Sequence, residues 1–237
     1  MKKLLVIVTC LTTAGCTKTE PVPQGQISPI TVPSPTAPPR VDSRPVVAVL
    51  GDSLAEGLGV EAGKSFPDLL QRRLDQSGYK YRVVNLGISG DTTTGGLGRI
   101  GTVLELKPAI VVLELGGNDG LRGLPLAGTK ANLESMIRSA QRAGAEVLLA
   151  GMTLPPNYGA DYIGQFEAIY EELAAKHRLR LIPFLMEEIR TQMGSNPGLM
   201  QPDGIHPTAQ GQSLIADTVF KYLQPMLKRA AEARATA

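Results

Sequence analysis

Two histidines, one serine at the end of an apolar run and two glycine-rich turns are the parts of this 237-residue chain whose types and spacing could do chemistry. Ser53 lies in Gly51-Asp-Ser-Leu54, directly after Val46-Val-Ala-Val-Leu50. A serine hydroxyl attacks a carbonyl carbon only when a neighbouring base takes its proton. The base must be His177 or His206, because the chain has no other histidine. His177 sits between Lys176 and Arg178 at the end of an amphipathic stretch, where an imidazole commonly complements a helix C-terminus. His206 stands three residues after Asp203 and precedes Pro207. On a turn, that spacing lets the carboxylate accept from Nδ1–H and leaves Nε2 for the serine proton. Ser53, His206 and Asp203 therefore read as nucleophile, base and orienting acid. Developing charge on a carbonyl oxygen also needs donors. The backbone N–H of Ser53, the N–H of Gly90 and the amide of Asn118, on a turn opened by Gly116 and Gly117, are the candidates for that oxyanion hole. Taken singly, Gly90 and Asn118 would pass as a turn glycine and an Asx-turn; together they point to the site. Asp52, Asp91 and Asp119 adjoin these residues and are read as local turn formers. No histidine pair stands at ligand spacing and the chain has two cysteines, so neither a metal nor a cofactor is expected.

These residues need a scaffold that brings them together. β-branched runs at Val46–Leu50, Tyr81–Asn85, Ala109–Leu115, Glu146–Gly151 and Leu179–Ile182 alternate with helical patterns near 66–77, 92–106, 128–143, 161–176 and 208–223. Strands buried on both faces and separated by helices predict an α/β chain: a three-layer α/β/α sandwich around a mainly five-stranded parallel sheet. In such sheets the chemistry lies past the C-terminal ends of the strands. Gly51–Leu54, Gly87–Asp91, Gly116–Asp119 and Leu154–Tyr158 each follow a predicted strand, and Asp203–His206 returns after the fifth strand and a short helix.

Outside that core the chain changes texture. Residues 1–15 combine Lys2 and Lys3 with an apolar run from Leu4 to Leu11, the build of an export signal and too short to span a bilayer. Gly15-Cys16 has the form of a lipobox, with Thr13 where leucine is usual, so lipid attachment at Cys16 and ordinary signal cleavage both stand as expectations. Either way the predicted location is the cell envelope, facing the periplasm, as a membrane lipoprotein anchored through Cys16 or as a soluble protein. Residues 16–45 are rich in Pro, Ser and Thr and read as a spacer, 46–227 as the catalytic domain, and 228–237 as an Ala/Arg-rich tail. With Lys2 and Lys3 set aside, 22 basic residues face 22 acidic ones, a balance without the electrostatic footprint of a nucleic-acid binder. Nothing in the sequence marks a subunit interface.

Gly51-Asp-Ser-Leu54, Gly90, Gly116-Gly-Asn-Asp119 and Asp203-Gly-Ile-His206 resemble, in order, the four blocks of the SGNH (GDSL) hydrolase superfamily. The resemblance spans Val46 to Gln224. Ile88-Ser-Gly-Asp-Thr92, the stretch from Glu114 to Gly123, Leu154-Pro-Pro-Asn-Tyr-Gly159 and Pro183–Glu188 are similar to its bacterial thioesterase/lysophospholipase branch, also called arylesterase. The resemblance implies a flavodoxin-like sheet, a Ser53/His206/Asp203 triad and an oxyanion hole of Ser53, Gly90 and Asn118. It implies hydrolysis of small to medium acyl esters or thioesters, with Leu154–Tyr158 lining an acyl groove. Leu54, Leu121, Leu154, Pro155, Tyr158 and Ile205 are the expected substrate-binding residues. An exported carbohydrate or peptidoglycan O-acyl esterase would use the same triad, and a binding module could retain the fold without turnover.

Overall fold

A computed structural model describes residues 42–235, with side chains to residue 227. The expected signal segment, Cys16 and the spacer up to residue 41 lie outside the described residues. The described chain falls in a single unit beginning at Asp42.

Five parallel strands form one sheet: β1 (Val46–Gly51), β2 (Arg82–Gly87), β3 (Ile110–Glu114), β4 (Glu146–Ala150) and β5 (Arg180–Ile182), in the order β2-β1-β3-β4-β5. β1, β3 and β4 are the interior of the sheet, and Val47, Ala48, Val49, Leu50, Ile110 and Val112 are fully buried. Removing each large side chain of this kind from water contributes roughly 1.5–3 kcal/mol, which is why near-continuous apolar runs settle here. The two edge strands differ from the expectation of burial on both faces. β2 is only half-buried and β5 is three residues long, because each has a neighbour on one side alone.

The helices form α1 (Ser53–Glu56), α2 (Phe66–Gln76), α3 (Thr93–Glu105), α4 (Gly117–Leu121), α5 (Leu126–Arg142), α6 (Ala160–His177), α7 (Glu187–Gln192) and α8 (Ala209–Ala235). In α2 the Ser65 hydroxyl caps Asp68 N–H, Pro67 occupies the first turn, and Phe66, Leu70 and Leu74 share the buried face at intervals of four. In α6 the same logic places Phe166, Ile169, Tyr170, Leu173 and Ala174 against the sheet. α2 packs on α8 and α7 on α8, while α3 packs on α5 and α5 on α6, so the sheet is sandwiched between two helical layers. α8 continues to Ala235, past the expected end near 223 and through Pro225. Ala-rich sequence favours helix, and α8 takes in residues 228–235.

The chain leaves β1 toward β2 on one side and reaches β3 on the other side of β1. The loops after β1 and β3 therefore diverge, which opens a crevice at the C-terminal edge between them.

Candidate active site

Ser53 stands at that crevice. Gly51 ends β1, Asp52 caps the short helix α1 by accepting Leu54 N–H on Oδ1 at 3.0 Å, and Ser53 is its first residue. Gly51 admits no side chain: a Cβ there would lie 2.3 Å from Glu114 Oε2 and 2.6 Å from the Ala55 side chain. Asp52 N–H donates to Glu114 Oε2 at 3.2 Å, whereas Ser53 N–H has no acceptor among the described residues. Gln212, fully buried on α8, holds this corner by accepting from Phe66 N–H at 2.8 Å and donating to Leu54 C=O at 3.1 Å.

The loop before α8 brings the base. Gln201 N–H donates to His206 C=O at 2.8 Å, Thr208 N–H to Leu199 C=O at 2.9 Å, and Gly204 turns with φ +68°. Within this closed loop Asp203 Oδ1 accepts from the N–H groups of Ile205 (2.9 Å) and His206 (3.0 Å). Its other oxygen, Oδ2, lies 2.6 Å from His206 Nδ1. Those backbone donors, with the imidazole, hold the Asp203 carboxyl down at about 2. An ionised carboxylate beside Nδ1 keeps the ring proton there and leaves Nε2 as an acceptor. Nε2 lies 2.9 Å from Ser53 Oγ.

The other predicted residues occupy neighbouring loops. Gly116 has φ +115°, a region that favours glycine, and a Cβ there would lie 2.3 Å from the Tyr170 hydroxyl. It starts α4, whose Asn118 Nδ2 donates to Asp52 Oδ2 at 3.1 Å. Gly90 turns with φ +76°, and its C=O accepts from the Arg122 guanidinium at 2.9 Å. The two loops thus touch each other beside Ser53's strand. Asp91 accepts Thr92 N–H locally and also pairs with Arg99 at 2.8 Å, whereas Asp119 departs from the expected turn role: it accepts from Thr93 N–H and its hydroxyl, tying α4 to the start of α3.

Among the expected substrate-binding residues, Leu54 and Leu154 need correction. They are 4% and 5% exposed and belong to the core, Leu154 packing beside Gly120 and Phe166, so neither offers surface to an acyl chain. Ile205 is 42% exposed next to His206, Pro155 is exposed, and Leu121 and Tyr158 are half-buried. Tyr158 donates to Leu121 C=O at 2.8 Å and stacks on Tyr162, tying the loop after β4 to α4.

Sequence reasoning missed the side chains that brace these loops. Arg99 donates to Gly51 C=O (2.8 Å) and Leu86 C=O (2.5 Å), locking the ends of β1 and β2 behind the Gly90 loop. Glu114 is wholly buried at the end of an otherwise apolar strand, and burial, then the neighbouring Asp52, push its carboxyl up. A lone acid closing Ile-Val-Val-Leu is the signal that could have flagged it. His177, by contrast, ends α6 with Nε2 3.1 Å from Glu134, which also pairs with Lys176.

Residues 49–214 match the GDSL-like Lipase/Acylhydrolase family. The chain belongs to that family. Among its relatives, Esterase TesA of Pseudomonas aeruginosa is 48% identical over 180 residues, covering 76% of this chain and 88% of that protein. Thioesterase 1/protease 1/lysophospholipase L1 of Escherichia coli K12 is 41% identical over 189 residues, covering 79% and 88%. The crystal structure of the psychrotrophic esterase EstA from Pseudoalteromonas sp., inhibited by monoethylphosphonate, superposes with a TM-score of 0.71. That match is 33% identical and covers 77% of this chain and 98% of EstA. The five-stranded parallel sheet flanked by helices is thus the GDSL hydrolase fold, and the chain is an enzyme of the serine hydrolase type.

Proposed function

We propose that the chain hydrolyses acyl esters or thioesters through a Ser53/His206/Asp203 triad. The continuous line from Ser53 Oγ to His206 Nε2 (2.9 Å) and from Nδ1 to Asp203 Oδ2 (2.6 Å) carries this reading. Ser53 Oγ attacks the acyl carbon while its proton passes to His206 Nε2, and Asp203 stabilises the imidazolium. The carbonyl oxygen, now negative, takes hydrogen bonds from the Ser53 and Gly90 N–H groups and the Asn118 amide. Collapse expels an alkoxide or thiolate, which takes the His206 proton and leaves an acyl ester on Ser53. Water then gives a proton to His206 and attacks the ester, releasing the acid and restoring Ser53. The family's esterase and thioesterase names support this chemistry. Leu121, Pro155, Tyr158 and Ile205 supply the apolar contacts for the acyl chain.

The same reading places residues 1–15 as an export signal, 16–45 as a spacer and 46–227 as the hydrolase domain in the cell envelope, with lipid attachment at Cys16. Among the described residues no helix is long and apolar enough to cross a membrane. Labelled palmitate entering the wild type but not Cys16→Ala would support lipid attachment, and equal labelling of both would overturn it.

The substrate assignment is tested with p-nitrophenyl esters and acyl thioesters of graded chain length alongside acetylated sugars. Turnover of the acyl esters is expected, with acetylated sugars poor substrates. Efficient deacetylation of sugars with no turnover of the acyl panel would overturn it in favour of a carbohydrate esterase.

A further inference from the structure

Asp52 immediately precedes Ser53 and has no part in the mechanism above. It is 3% exposed, and both of its oxygens are committed: Oδ1 to Leu54 N–H at 3.0 Å and Oδ2 to Asn118 Nδ2 at 3.1 Å. We propose that Asp52 is a positioning residue that fixes which face of the Asn118 amide is presented to the oxyanion.

A terminal amide can rotate half a turn with little intrinsic preference, exchanging an acceptor oxygen for a donor nitrogen. A carboxylate at Oδ2 repels the Asn118 oxygen and attracts its nitrogen, so the NH2 group is held on the Asp52 side. One of its two hydrogens is spent on Asp52, and the second is left for the substrate oxygen. Residue 52 must therefore accept twice, once for the helix cap and once for Asn118. Asparagine at this position has a single acceptor oxygen and would set a donor against one of the two N–H partners.

The buried surroundings fit that task. Glu114, fully buried behind the loop, has Oε2 accepting from Asp52 N–H, and Oε1 has no hydrogen-bond partner among the described residues. Burial and the neighbouring carboxyl push Glu114 upward, toward its neutral form. Burial also raises Asp52, but only to about 6, because Leu54 N–H and Asn118 hold its charged form. Burial thus favours the neutral form of Glu114, while the two donors on Asp52 favour its charged form.

The inference rests on Asn118 serving as an oxyanion donor, and a double-mutant cycle separates the two ideas. kcat and KM for p-nitrophenyl butyrate are measured for wild type, Asn118→Ala, Asp52→Asn, Asp52→Ser and each Asp52 variant combined with Asn118→Ala. In Asp52→Ser the introduced hydroxyl still caps Leu54 N–H but is too short to reach Asn118, which preserves the helix start if the asparagine variant fails to fold. Asn118→Ala is expected to lower kcat about 10²- to 10³-fold. In the wild-type background either Asp52 substitution is expected to lower kcat roughly ten- to a hundredfold, with KM within about threefold. In the Asn118→Ala background the same substitution should change kcat by less than about threefold. An equal loss in both backgrounds, or full activity in a folded Asp52 variant, overturns the positioning role. Full activity in Asn118→Ala instead overturns the oxyanion assignment beneath it.

Discussion

Two imidazole–carboxylate pairs lie at opposite ends of the same sheet. His206 and Asp203 meet at 2.6 Å past the C-terminal edge, and His177 and Glu134 meet at 3.1 Å where α6 ends and the chain enters β5. The parts are alike, so the difference lies in what each ring nitrogen faces. At His206 the carboxylate takes Nδ1, within a loop closed by backbone bonds, and frees Nε2 for a hydroxyl 2.9 Å away. At His177 the carboxylate takes Nε2 and shares itself with Lys176, in a cluster that joins α5 to α6. An acid and an imidazole in contact are therefore no sign of catalysis. The diagnostic feature is a free nitrogen aimed at a nucleophile, at the edge where the strands end.

The sharpest way to break this comparison is to remove each ring. His206→Ala should lower kcat/KM for an activated ester by about 10⁴-fold or more, with an unchanged melting profile. A smaller effect follows from disturbing the loop that places Asn118. In Gly116→Ala the added methyl meets the Tyr170 hydroxyl and φ +115° becomes strained. A loss of about 1–3 kcal/mol of stability and roughly ten- to a hundredfold in kcat is expected, read by denaturant titration and initial rates. Smallest of all, His177→Ala should leave kcat/KM within about twofold and cost around 1 kcal/mol or less, because the lost contact is one partly exposed hydrogen bond. A large activity loss there, with His206→Ala active, would reverse the comparison.

The alternation of β-branched runs and amphipathic stretches was enough to place all five strands, since buried parallel strands and their crossover helices have distinct periods. Asp203 and His206 were legible for a different reason: three residues on one turn put both groups in reach without any knowledge of the fold. What stayed hidden depends on contacts between distant segments. Leu54 and Leu154 looked like rim residues because they follow strands, yet their side chains turn inward to the core. Arg99 and Gln212 sit in helices, where a polar residue reads as solvent-facing, and only the packed structure shows them bonded to the nucleophile's loop. Short α1 and α4 escaped notice too, being single turns made by glycines and caps rather than by an apolar stripe.

Covalent labelling with a fluorophosphonate, followed by peptide mass mapping, tests the central assignment most directly. The expected result is one adduct, on the peptide containing Ser53, absent in Ser53→Ala, undiminished in His177→Ala and at least about a hundredfold slower in His206→Ala. An adduct that persists in Ser53→Ala, or labelling that depends on His177 instead of His206, would contradict it.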